Sequence, residues 1–212
     1  SPVLHFMSTG TSRKRNRDQF LPPEYELVEI GRVEDVEAYC RQAFQKKTAL
    51  MFKEGFDFVG ANPKTIRYVR ARLAQIAHAS GIPHPELLRR IGSYLIKRSN
   101  AFLIKVRDRE ASGGRVRVDS RGKEIEPIAA YFPAPPEMME AEVDNFGKIL
   151  KWRQTTPNGS KKEFRPEDVV HFTFDKKEGF IFGTPTVVPV MDDIRALRRI
   201  EQDIELLVYH HL

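Results

Sequence analysis

"FGTPTVVPVMDDIRALRRIEQDIELLVYHHL", Phe182 to Leu212, is the stretch whose reading decides the fold. Gly183, Pro185 and Pro189 interrupt the chain ahead of an apolar series. Val190, Ile194, Leu197, Ile200, Ile204, Val208 and Leu212 follow at steps of three or four and share one helical face, with Leu207 at its edge. Thr184 can cap this helix with Pro185 just inside it, or the helix begins nearer Pro189. In either case Asp192 and Asp193 fall in its early turns, where negative charge meets the positive end of the macrodipole. Arg195, Arg198, Arg199, Glu201, Asp203 and Glu205 stand between the apolar positions, and Arg199 and Asp203 are spaced to pair. The charge along the axis is acidic, then Arg-rich, then acidic. Two readings fit: a terminal helix packed on its own domain with a solvated charged face, or a helix that packs sideways on copies of itself, arginine against acid. No Gly, Asn or Pro follows to end the pattern, so the helix reads as continuing beyond Leu212.

Working back from this helix, the sequence changes texture twice. RPEDVVHFTF predicts a strand over Val169–Phe174, and GKILKWRQ another over Gly147–Gln154, with an Asn-Gly turn in TTPNGS between them. PAPPE is a stiff connector, EIEPIAAYF an extended run, and RVRVDS alternates with period two after the break at Ser112–Gly114. AFLIKV, Ala101–Val106, is the first strand of this set. Ahead of it the spacing is helical. PELLRRIGSYLIKRSN carries Leu87, Leu88, Ile91 and Leu95 on one side, and a helix opened by Asn62-Pro63 runs to Gly81. A third helix spans Arg32 to Phe52, and FDFVG predicts a short strand, with Phe52, Phe56 and Phe58 read as core. Helices followed by antiparallel strands make an α+β class. Three segments result: a flexible basic arm over 1–23, an α+β domain over 24–183, and the closing helix over 184–212.

Composition narrows the function. The 212 residues are 41% hydrophobic and 30% charged, enough for one good core, and no run approaches the ~18 apolar residues of a membrane span. A single cysteine, Cys40, excludes a disulfide framework and multi-thiolate metal sites. It reads as a small buried hydrophobe. The net charge of +6 owes part of its excess to Arg13, Lys14, Arg15 and Arg17, a run that either contacts phosphates or is a solvated tail.

No phosphate-binding glycine loop, HExxH or nucleophile elbow occurs. His171 lies inside VVHFTF and reads as a half-buried structural histidine, with Asp168 on the opposite strand face. Glu124 and Glu126 share a strand face without further support for acid–base chemistry. Nothing argues for an enzyme, a cofactor or a metal.

An ordered series of segments resembles the portal proteins of tailed bacteriophages. ELLRRIGSYLIKRSNAFLIKVRD (Glu86–Asp108) is similar to a portal helix that runs through an Asn-Ala-Phe turn into a strand. PIAAYFPAPPEMM (Pro127–Met139), the GKILKWRQ hairpin, FRPEDVVHFTF (Phe164–Phe174) and the Gly-Thr-Pro element before the long helix follow in the same order. The resemblance covers about residues 86–212 and implies a wing domain followed by the first stem helix of a partial subunit. It further implies a homo-oligomeric ring of about twelve copies at one capsid vertex. Double-stranded DNA would pass through that ring in packaging and ejection. The major capsid protein or scaffold, the terminase large subunit and a head–tail connector would be its partners. The location would be the virion's portal vertex, reached from the host cytoplasm. Asp192, Asp193, Arg195, Arg198, Arg199 and Glu205 are the expected subunit contacts, and Arg13, Lys14, Arg15 and Arg17 the expected capsid or DNA contact. The alternative is a basic nucleic-acid-binding module acting through that arm and through Arg67, Arg70 and Arg72.

Overall fold

The computed structural model describes residues 20–23, 25–53, 55, 57–60, 62–108, 117–118, 122 and 124–210. The Arg13–Arg17 run and Phe56 lie outside them. The element order is β1 (Phe20–Leu21), α1 (Leu27–Val36), α2 (Ala38–Met51), α3 (Pro63–Ser80), α4 (His84–Arg98), β2 (Asn100–Arg107), β3 (Arg117–Val118), β4 (Glu124–Ile125), β5 (Ile128–Ala134), β6 (Met139–Val143), β7 (Ile149–Thr155), β8 (Lys161–Phe164), β9 (Val169–Thr173) and α5 (Met191–His210). This is the expected α+β class, all strand pairs being antiparallel.

Two sheets carry the core. One has the order β5-β2-β9 and the other β1-β6-β7-β8, with β3 and β4 forming a separate small hairpin. β2 sits at the centre of the first sheet and is covered on both faces, so its first five residues are all buried. Ala101 and Leu103 face α4 and meet Leu87 and Ile91. Phe102 and Ile104 face the second sheet and meet Met139, Ala141, Trp152 and Phe182. α3 is tied to β5 by a bond from Arg72 to the Ile128 carbonyl and by Ser80 Oγ accepting the Tyr131 N–H. A separate helical cluster joins Leu27, Ile30 and Val33 of α1 to Phe44 of α2, and Val187 and Met191 complete it.

Several expectations are met in detail. Asn62 caps α3, its Oδ1 accepting the Lys64 N–H at 2.9 Å, and Asn158-Gly159 turns β7 into β8 with Gly159 at φ 81. Cys40, expected to be buried, is only partly so beside the helical cluster, and that burial pushes its thiol pKa up.

Other boundaries differ. The helix expected from Arg32 begins at Leu27 and is broken at Glu37, which is extended (φ −120, ψ 105) and accepts the Tyr39 N–H to start α2. The described residues of FDFVG, 57–60, form no strand: Asp57 Oδ1 takes the Phe58 N–H at 2.7 Å and pairs with Arg70, so local side-chain bonds replace a ladder. EIEPIAAYF is divided into β4 and β5, because Pro127 has no N–H to give a ladder and its carbonyl accepts from Asp108 instead. Phe20 and Leu21, inside the segment read as an arm, pair with Glu142 and Ala141 of β6.

Candidate assembly interface

The segments that carried the sequence reading meet at one buried joint. α4 ends at Ser99, which turns left-handed (φ 53) and bonds back to the Leu95 carbonyl. The next residue, Asn100, is fully buried and uses all of its amide. Its Nδ2 donates to the Arg98 carbonyl at 2.8 Å and the Gly183 carbonyl at 3.0 Å, while its Oδ1 accepts the Gly183 N–H at 2.8 Å. That backbone donor sets which way round the amide lies. His171 Nε2, 3.1 Å from the same Oδ1, must therefore carry its proton and donate. Burial, with the nearby charge of Lys176, pushes the His171 pKa down to about 3, so the imidazole is neutral.

The ring is stacked on Phe102 at 4.2 Å and lies edge-on to Trp152 at 5.0 Å. A side chain on Gly183 would collide with the carbonyl oxygens of Ser99 and Phe174. The Asn-Ala-Phe turn and the Gly-Thr-Pro element, 83 residues apart, are thus two halves of one hydrogen-bonded clasp. Asp168 takes no part in it. Burial favours its neutral form, but Arg107 at 2.6 Å and Arg165 at 2.9 Å outweigh this and hold its carboxyl below its ordinary value.

From the clasp the chain passes Thr184 and Pro185, makes a tight turn at Val188–Val190 and enters α5, so the later of the two expected starts is the observed one. Val187 and Met191 are buried in the helical cluster and Ile194 packs against it. Arg195 then bonds Glu29 of α1 and, at 3.1 Å, Asp192. Arg198 approaches Glu37 to 3.7 Å and Glu201 to 3.4 Å. The inward face of α5 is therefore Met191, Ile194, Arg195 and Arg198. Helical geometry puts this about a third of a turn from the centre of the apolar stripe. From Leu197 on, nothing among the described residues covers that stripe: Leu197 is 47% exposed, Ile200 55%, Ile204 54% and Val208 53%.

The expected contact residues thus separate. Arg195, Arg198 and Asp192 make intrachain pairs. Asp193, Arg199 and Glu205 are exposed, and among the described residues no ion pair joins Arg199 to Asp203. Of the arginines in the alternative reading, Arg70 is held by Asp57 and Arg72 by Gln75 and the Ile128 carbonyl. Among the described residues no group of three or more His, Cys, Asp or Glu could hold a metal, and no helix is long and apolar enough to cross a membrane. Glu29, Glu37 and the Asn100 clasp were missed by the sequence reading. The i, i+3 spacing of Arg195 and Arg198 was the available signal, but their partners come from distant helices.

No protein-family model and no curated protein matches the sequence. Solved structures do.

The fold is that of a chain in a gene transfer agent neck. A chain in the neck of an empty gene transfer agent particle, computed with C6 symmetry, superposes with a TM-score of 0.69 at 11% identity over 96% of this chain. A chain from the virion of the native particle gives 0.54 over 91%, at 11% identity. One from the native neck, computed with C12 symmetry, gives 0.53 over 90%, at 13% identity. This chain spans about half of each of those chains: 50%, 48% and 47%. At such identities the likeness establishes the shared fold.

Proposed function

We propose that this chain is a portal-type subunit of a phage-like particle. It assembles with identical copies into a ring at one capsid vertex, and double-stranded DNA passes through the ring during packaging and ejection. The observation that carries the reading is α5. It is clamped at its root and bare of cover along its apolar stripe, on a chain whose fold is found in particle necks computed with C6 and C12 symmetry. A water-soluble helix that keeps four large aliphatic side chains about half exposed is built to meet another surface.

The role is mechanical. The ring supplies a sized hole and a docking surface for a terminase and a head–tail connector, and an ATP-driven motor supplies the work. Strong phosphate contacts would hold the duplex in place, so weak DNA binding suits such a channel.

Native mass measurement of the purified chain, with imaging down the symmetry axis, tests the reading. The expected result is a closed ring of about twelve copies. A monomer or dimer that binds duplex DNA tightly, with a steep salt dependence, would instead establish the nucleic-acid-binding alternative.

A further inference from the structure

Glu37 joins α1, α2 and α5. Its N–H donates to the Val33 carbonyl and closes α1, and its carbonyl accepts the Arg41 N–H and opens α2. Its carboxylate accepts the Tyr39 N–H at 3.3 Å and faces Arg198 Nε of α5 at 3.7 Å. At that distance the second contact is one of charge, not a hydrogen bond. The Glu37 side chain is only 10% exposed. A carboxylate so buried is costly unless charge and hydrogen bonds offset the loss of water. Among the described residues the Tyr39 N–H and the Arg198 guanidinium supply that offset.

The α5 side of the joint is built differently. Each of its two arginines stands between two acids. Arg198 lies 3.4 Å from Glu201 of its own helix, and Arg195 lies 3.1 Å from Asp192 while also bonding Glu29 of α1. When α5 lifts from its seat, both arginines keep an acid on α5 itself. Glu37 has no such reserve on α2: without Arg198 its charge is best placed in water. Turning the carboxylate outward takes it from the Tyr39 N–H, and the first turn of α2 loses its cap.

We infer that α5 governs the first turn of α2 through Glu37. Seated, Arg198 holds the Glu37 carboxylate in its capping position; displaced, α5 releases the cap and that turn frays. A movement of the long helix is thereby passed to α2, whose Phe44 packs in the same cluster as Val187 and Met191. The device goes beyond the ring assembly proposed above and does not depend on it, since every group named belongs to one chain. It also has a built-in reporter. Cys40, the only cysteine of the chain, sits in that first turn, and the Glu37 charge adds to the burial that raises its thiol pKa.

The experiment measures, on the full chain, hydrogen exchange of the Tyr39 amide and the rate at which a thiol reagent labels Cys40. Arg198→Met should raise both rates by about two- to thirtyfold, the span of a lost helix cap. Arg198→Ala is a second variant with the same expectation, and Arg198→Lys, which keeps the charge, should retain most of the protection. Glu37→Gln leaves an acceptor for the Tyr39 N–H and needs no cation, so in that background Arg198→Met should change neither rate. Rates that Arg198→Met leaves unchanged, or raises equally with and without Glu37→Gln, overturn the inference. A chain that shows the coupling and forms no ring upholds the inference and overturns the proposed function; a ring without the coupling does the reverse.

Discussion

The clasp around Asn100 and the outer half of α5 sit at opposite ends of one short connection and obey opposite rules. At the clasp every amide position of Asn100 is bonded, Phe102 is fully buried, and His171 is kept neutral by its surroundings. A few residues later α5 leaves its apolar stripe in solvent, and its own ion pairs, Arg195 with Asp192 and Arg198 with Glu201, are partly exposed. Among the described residues the first region is fully packed and the second is open. The contrast teaches that the core of this domain holds α5 at its root, through Val187, Met191 and Ile194, and leaves the apolar stripe beyond them to solvent.

The difference can be tested by substitution, beginning where the largest loss is expected. Phe102→Ala removes a fully buried ring stacked on His171 and packed against Trp152, and should cost about 3–5 kcal/mol in urea unfolding. Asn100→Ala strands the buried Gly183 N–H and carbonyl and should cost about 3 kcal/mol. A loss below about 1 kcal/mol would show that the clasp is not a mount.

Acidification comes next. His171 has a folded pKa of about 3 against an ordinary 6.5, so between these values the unfolded chain binds the extra proton. Stability is greatest above 6.5 and should fall as pH drops toward 3, by at most about 1.4 kcal/mol per unit. His171→Phe should flatten that part of the profile. Asp168 adds its own loss only below its ordinary 3.8, as its carboxylate protonates and releases Arg107 and Arg165.

The root of α5 should respond weakly. Arg195→Ala breaks partly exposed pairs with Glu29 and Asp192 and should cost under about 1 kcal/mol. Smallest of all is Ile204→Ser. Its effect on unfolding should stay within about 0.5 kcal/mol, while sedimentation shows loss of the larger assembly. If Ile204→Ser instead destabilises the single chain as Phe102→Ala does, the helix belongs to its own core and the comparison collapses.

Much of the fold was legible because periodicity reports which face of an element is covered. The helix ahead of β2, the Asn158-Gly159 hairpin and the closing helix follow from spacing and turn chemistry that act over a few residues. The break at Glu37 was not legible, since what holds it is the end of α2 together with Arg198 from far along the chain. Nor was the absence of a strand over residues 57–60, where Asp57 captures its own neighbour and Arg70.

The apolar and charged positions of α5 were written in the order of residues, and so were the Asn-Ala-Phe and Gly-Thr-Pro elements. Local propensity and amphipathicity need nothing else. Tertiary structure alone decided which arginines of α5 turn inward, that its stripe faces solvent, and that two short elements 83 residues apart close one clasp. These depend on the rotation of a helix about its axis where it docks. That angle is set by the shape of the core at Val187 and Met191, which no stretch of sequence contains by itself.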